Sequence, residues 1–343
     1  MQRTAFFQKF EANAAEFPEA VAIETSEYRL SYGGINAQAN ALARFIKDHR
    51  ADGESPVVGL AMAAGSDYVV AMLAAGKAGA AFAPLPPDLP ERRLASYLER
   101  TKPSLLIAQA EHLPELAEKL NGIGHGHLKR LAVPPAGTKD SGNPGRSVAP
   151  GEPCYVMFTS GSTGEPKAIL GQQRGLSHFL AWELAEFGIG RECRGSWLAP
   201  VGFDVSLRDI LVPLMAGGTL CIPDENTRLT PHRLVEWIAN SAVTLVHCVP
   251  TTLRLMNREM QARFCRPETP IFPALRHLLI AGEPLFGADI ADWRHLAGDR
   301  AEMVNLYGPS ETTLAKLFHR IGPETPEARQ RVPIGLPLPN TDV

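Results

Sequence analysis

The feature that most constrains this chain is a set of short apolar runs separated by stretches of helical period. The runs VVGLAM (57–62), SLLIAQ (104–109), CYVMFT (154–159), TLCIP (219–223), TLVHCV (244–249), HLLIAG (277–282) and MVNLY (303–307) are predominantly apolar, with no regular in–out alternation. That pattern predicts strands covered on both faces. Between them lie amphipathic segments such as GLSHFLAWELAEFG, SLRDILVPLMAGG, PHRLVEWIAN and DIADWRHLAG, whose apolar residues recur at helical spacing. Strands alternating with helices predict an α/β fold: two doubly wound, mostly parallel sheets with helices on both faces. At 343 residues there is room for two packed lobes. The stretch 134–153, PPAGTKDSGNPGRSVAPGEP, is dense in turn formers and is expected to join them. The expected division is therefore a first lobe at 1–150, a second at 151–330, and a further segment beginning at 331–343.

Composition removes several classes. Lys+Arg (34) and Asp+Glu (37) nearly cancel, so no net field recruits nucleic acid or an anionic membrane. The apolar stretch from Gly59 to Pro87 is broken by Asp67 and Lys77 and rich in alanine and glycine, which suits close helix–strand packing and not a membrane span. Five scattered cysteines without a CxxC pair are expected to be free thiols in a reducing cytoplasm, without a zinc site. His125 and His127 in a glycine-rich turn are read as a solvated loop.

Tyr155 to Leu170, YVMFTSGSTGEPKAIL, turns abruptly from a buried strand into glycine and hydroxyl residues. Backbone N–H groups at Gly161 and Gly164, the hydroxyls of Thr159, Ser160, Ser162 and Thr163, and the Lys167 ammonium make a polyphosphate cradle. The spacing does not fit G-x-x-x-x-G-K-[ST], which disfavours a Walker ATPase.

This stretch resembles the phosphate loop of the adenylate-forming superfamily, and in particular amino-acid adenylation domains of non-ribosomal peptide synthetases. Four further segments resemble family motifs in the family's order: LSYGGINAQANALARFI (30–46), KAGAAFAPLPPDLPERRL (77–94), GFDVSLRDI (202–210) and NLYGPSETT (305–313). The terminal IGLPLPNT is similar to the segment that precedes the family's small β-barrel. Ser310 stands where the family usually has threonine, and Gln173 where histidine is common. The family's ribose-binding aspartate, hinge and C-terminal catalytic lysine have no counterpart up to Val343. The chain thus reads as an N-terminal core fragment without the small C-terminal domain.

The resemblance implies roles. Thr159, Ser160, Gly161, Ser162, Thr163, Gly164 and Lys167 would hold the β- and γ-phosphates of ATP. Tyr307 would pack against adenine, with Asn305, Gly308 and the turn Gly282–Glu283–Pro284 lining the base. Glu311 would hold Mg2+, and Ser310 or Thr312 would contact the α-phosphate. Thr159, Lys167 and Glu311 would carry the catalysis, since carboxylate attack on the α-phosphorus needs positioning and charge neutralisation, not a protein nucleophile. Asp204 in the Phe203–Asp204 motif would pair with a substrate α-ammonium, which favours an amino acid. Val205, Arg208, His247, Leu279, Ala281, Leu306, Leu314 and Ala315 would complete the acid pocket.

Arg208 and His247 are the strong hydrogen-bonding groups of that set, which points to a polar or carboxylate-ended acid or to a small polar amino acid. On a helix, Asp204 and Arg208 at i and i+4 are also placed to pair with one another. The implied partners are ATP, an amino acid, a carrier protein with a phosphopantetheine arm, and neighbouring synthetase domains. An acyl- or aryl-CoA ligase, and a fragment that binds without turnover, stand as alternatives.

Overall fold

The computed structural model describes residues 4–50, 56–139, 142–159, 166–263, 270–324 and 326–342. Its strands are β1 (Val21–Glu24), β2 (Arg29–Ser31), β3 (Val57–Leu60), β4 (Ala81–Pro84), β5 (Leu105–Ala108), β6 (Lys129–Ala132), β7 (Pro153–Thr159), β8 (Lys167–Gln172), β9 (Arg194–Ser196), β10 (Thr219–Cys221), β11 (Leu245–Cys248), β12 (His277–Ala281), β13 (Glu302–Tyr307), β14 (Leu317–Arg320) and β15 (Leu336–Pro337). They form two sheets, ordered β6-β5-β3-β4-β7-β8 and β15-β14-β13-β12-β11-β9-β10-β1-β2. Every apolar run read as a strand is one, within a residue or two at its ends. The chain divides into two compact units, Met1–Val21 with Leu30–His178 and Pro200–Asp204, and Ala22–Arg29 with Phe179–Ala199 and Val205–Val343.

In the first unit β3, β4, β5, β6 and β7 pair in parallel and β8 returns antiparallel to β7. The helix α1 (Ser66–Ala78) crosses from β3 to β4 and is buried along nearly its whole length, as its alanine-rich sequence requires. Its Lys77 is fully buried, and the ammonium donates to Glu11 Oε1 (2.6 Å), Asn36 Oδ1 (2.7 Å), Asn40 Oδ1 (2.8 Å) and Asn143 Oδ1 (3.3 Å). One cation thereby ties three separate stretches of chain together. The sequence expectation placed CYVMFT and its loop in a second lobe. The structure corrects this: Phe82 of β4 is the register partner of Tyr155, so β7 and β8 complete the first sheet. The turn-rich stretch 134–153 lies inside that unit.

In the second unit β9 is the topological switch, with β10 on one side and β11 on the other. Open parallel sheets bind ligands beyond the carboxyl ends of strands at such a point. Period two splits the sheet into two faces. Val246, Cys248, Leu278, Ile280 and Met303 face one way. They pack on α2 (Pro231–Asn240), α3 (Pro250–Arg263) and α4 (Gly287–Ala297) through Leu234, Ile238, Leu253, Met256, Ile290 and Trp293. Burying each such side chain contributes roughly 1.5–3 kcal/mol. His247, Leu279 and Val304 point the other way and are register partners in one row. A helix buried along nearly its whole length, α5 (Val205–Ala216), packs within that unit through Leu207, Ile210, Leu211 and Leu214 and also buries Arg208 and Asp209.

Candidate functional site

Thr159 and Lys167 are register partners at the end of the β7–β8 hairpin, so the hydroxyl- and glycine-rich loop springs from facing strand ends. Lys167 is exposed there and Thr159 half-buried. Ser160, Gly161, Ser162, Thr163 and Gly164 lie outside the described residues.

In the second unit the NLYGPSETT segment becomes strand β13, a short 3-10 turn at Ser310–Thr312, and a return through β14. Tyr307 caps the strand with its ring half exposed. Lys316 N donates to Tyr307 O at 2.7 Å and closes the hairpin. The closure is tight: a Cβ on Gly308 would stand 2.1 Å from Leu314 O, so only glycine fits. Thr313 (φ 67°) and Leu314 (φ 56°) both adopt the left-handed conformation, which is uncommon for such residues and marks a strained turn. Leu314 and Ala315 are buried by it.

The other predicted base-lining residues are partly engaged. Asn305 Nδ2 donates to the carbonyls of Val332 (3.3 Å) and Pro333 (2.9 Å), anchoring that segment to β13. Glu283 Oε2 accepts from Thr251 N (3.1 Å) and Oγ1 (2.6 Å), and Pro284 O accepts from Arg254 Nη2 (2.9 Å). Gly282 has φ +98°, which turns the chain sharply after β12. Glu311 is exposed, and neither an ion pair nor a hydrogen bond engages its carboxylate among the described residues. A free acid on a short turn, beside hydroxyls at Ser310 and Thr312, is a suitable donor set for a hard cation bridging phosphate oxygens.

The acid-pocket residues of the second unit converge on one face of its sheet. His247 and Leu279 share the row described above, and Ala281 and Leu306 are register partners one step further along. Asp204 is buried and immediately precedes α5, while Phe203 is 61% exposed and Val205 half-buried. Arg208 is buried, and its Nε lies 3.8 Å from Asp209 Oδ1, so the acid that neutralises it is the next residue in the chain. Asp209 Oδ2 accepts from Leu198 N (3.1 Å) and Ala199 N (3.0 Å), just beyond the carboxyl end of β9. Asp209 Oδ1 lies 3.4 Å from His247 Nδ1.

The residue missed from the sequence is Glu183, on α6 (Gln173–Glu186), whose Oε1 lies 2.6 Å from His247 Nε2. Its signal was present. Leu176, Phe179, Leu180, Glu183 and Phe187 follow the buried helical stripe, and a carboxylate on such a stripe needs a partner. Burial pushes His247 down, but Glu183 and Asp209 outweigh it and hold the ring above its ordinary value.

The comparisons agree with this geometry. The family described as AMP-binding enzyme matches residues 10–343. The chain belongs to it. Among relatives of this AMP-binding enzyme are a protein described as a "probable non-canonical nonribosomal peptide synthetase", CymA of Salinispora arenicola (32% identical over 338 residues, 97% of this chain and 4% of that protein), and tyrocidine synthase 2 of Brevibacillus parabrevis (28% over 334 residues, 97% and 9%). The chain therefore spans a small part of the curated relatives it matches. Among solved structures, the nonribosomal peptide synthetase FmoA3 in its alpha-methyl-L-serine-AMP bound form superposes with a TM-score of 0.85 at 24% identity, over 98% of this chain and 36% of that one. FmoA3 has also been solved in an AMPPNP bound form. IdnL7 superposes with a TM-score of 0.79 at 27% identity, over 96% and 67%.

Proposed function

We propose that this member of the AMP-binding enzymes activates an amino acid with ATP, forming the aminoacyl-adenylate and pyrophosphate. The observation that carries the reading is the row of His247, Leu279, Ala281 and Leu306 on one sheet face, with the buried Arg208 of α5 linked to it through Asp209, 3.8 Å from Arg208 Nε and 3.4 Å from His247 Nδ1. Relatives named as peptide synthetases, and a fold neighbour solved with an aminoacyl-AMP, support it.

In this reading Asp204 pairs with the α-ammonium. Val205, Leu279, Ala281, Leu306, Leu314 and Ala315 shape the wall, and Arg208 takes a polar or carboxylate-ended side chain. Tyr307, Asn305, Gly308 and Gly282–Pro284 hold the adenine side. Thr159, Lys167 and the loop between them hold the phosphates. Glu311 would hold Mg2+, which would supply charge neutralisation at the phosphates; the chain's own part is to align the substrate carboxylate with the α-phosphorus. The activated acid passes to a phosphopantetheine thiol on a carrier protein, in the cytoplasm, within a larger synthetase.

The test is an amino-acid panel in ATP–pyrophosphate exchange on the intact protein. Exchange with a polar- or acid-ended amino acid supports the reading. A panel without any exchange, or a product that forms only with CoA, overturns it.

A further inference from the structure

A buried cluster of four ionisable groups joins α5, α6 and β11: Glu183, His247, Asp209 and Arg208, each at most 3% exposed. Carboxylates flank both ring nitrogens of His247, Glu183 at 2.6 Å from Nε2 and Asp209 at 3.4 Å from Nδ1. A neutral imidazole carries one N–H and one lone pair, so it would turn that lone pair toward a carboxylate. Only the doubly protonated ring offers a donor to each acid. In that form two acids and two cations cancel. Losing the His247 proton would leave one uncompensated negative charge beside the guanidinium. The set is not a metal site: among the described residues no three His, Cys, Asp or Glu side chains are grouped to hold an ion.

The cluster is also incomplete. Arg208 Nε, Asp209 Oδ1 and Glu183 Oε2 are buried without a hydrogen-bond partner. Native interiors leave few polar atoms so, and those that remain call for an explanation. An unmatched buried guanidinium donor beside the acid-pocket row is suited to an oxygen-ended side chain arriving with the substrate.

We propose that Glu183 is a positioning residue that ties substrate selection to the proton on His247: with the ring charged the cluster is neutral and Arg208 can accept a carboxylate-ended side chain, and with the proton lost Glu183 leaves an uncompensated negative charge. The inference rests on the amino-acid reading above and adds a residue outside the pocket wall. Glu183 comes from α6, Asp209 and Arg208 from α5, and Cys248 from His247's own strand. Of these Glu183 and Asp209 favour the charged ring and Arg208 opposes it, while Cys248 is held protonated by burial, its pKa pushed up to about 12. His277, on β12, is pulled down by burial and then by Arg276 and Arg320, so it is neutral near pH 7.

The experiment compares ATP–pyrophosphate exchange with a carboxylate-ended amino acid and with its amide, from pH 6 to 9, in the parent and in Glu183→Gln. In the parent, the acid-over-amide ratio of kcat/KM should fall about tenfold as pH rises through the elevated His247 value. In Glu183→Gln a neutral ring leaves Asp209 and Arg208 cancelling, so the fall should be lost, and Glu183→Asp should restore the parent profile. A folded Glu183→Gln protein with the parent's profile overturns the proposal. A histidine NMR titration, with His247→Gln assigning the signal, reads the pair without any turnover and covers a Glu183→Gln variant that does not fold. A His247 ring neutral at pH 6.5 in the parent overturns the proposal. A charged ring with no exchange in any panel faults the amino-acid reading instead.

Discussion

Each unit of the molecule buries a charged cluster, and the two are built to different standards. In the first, Lys77 is met by four side-chain oxygens, and the cluster is complete within the chain. In the second, Arg208, Asp209, Glu183 and His247 leave three buried polar atoms unmatched. A satisfied network holds segments together and has no capacity left for a ligand. An unsatisfied one is costly to fold, and a protein keeps it where something else completes it. The contrast separates a structural cation from one available to a substrate, although both are almost fully buried.

The strongest way to break this contrast is Lys77→Met, which leaves Glu11 and the Asn36 and Asn40 oxygens without this donor, while Asn143 Oδ1 keeps its bond from Asn36 Nδ2. Removing one partner of a buried ion pair costs about 3–5 kcal/mol, on the order of 10 °C in Tm for a unit of this size. A thermal melt that does not move would make the Lys77 cluster dispensable.

Arg208→Lys keeps the charge and removes the planar fork. It should lower kcat/KM for a carboxylate-ended acid by about tenfold, equivalent to about 1.4 kcal/mol, with Tm nearly unchanged. A large Tm loss with selectivity intact would place Arg208 in the same class as Lys77.

The stability contributed by His247 should depend on pH, with the sign set by its raised value. It is fully present below the ordinary histidine value of about 6.5 and lost as pH rises through the folded-state value, at about 1.4 kcal/mol per unit of elevation. Denaturant midpoints of the parent and His247→Gln across pH 5.5–9 should converge at the alkaline end.

The smallest effect concerns Lys316, half-buried and without a carboxylate partner, its Nζ donating to Thr313 O at 2.7 Å. Burial pulls its pKa down to about 8. The unfolded chain therefore binds more protons between about pH 8 and 10.4, so this lysine is a burden at neutral pH that lifts as pH rises. Lys316→Met should stabilise by on the order of 1 kcal/mol at pH 7, discounted for its partial exposure, and by nothing above about pH 10.5.

Much of this was legible in the sequence. Strands covered on both faces announce themselves as continuous apolar runs, and β7, β11, β12 and β13 were all of that kind. The three-residue β9 is too short to show that signature, and the partly exposed β8 and β14 lack it because fewer of their residues are buried. The acid-pocket residues followed from motif position, and period two explains why His247 and Leu279 share a face. The expectation that Arg208 was placed to pair four residues back did not anticipate Asp209, whose backbone acceptor role depends on where β9 ends. Glu183 was overlooked for a simpler reason: its place on the apolar stripe was legible, but its partner was not. A carboxylate on an amphipathic helix is ordinarily solvated, and only the tertiary fold brings a strand histidine against it.

The alternation along β11, β12 and β13 has a consequence for how such a protein can change. Residues that meet helices α2, α3 and α4 and residues proposed to line the acid pocket are interleaved one by one on the same strands, yet they never share a neighbour across the sheet. Leu279, Ala281 and Leu306 can thus be exchanged while Leu278, Ile280 and Met303 go on packing as before. The sheet acts as a partition between heredity of the scaffold and novelty of the ligand. A combinatorial library at those three positions should yield mostly folded proteins with altered preferences, whereas the same library shifted by one residue should yield mostly aggregates.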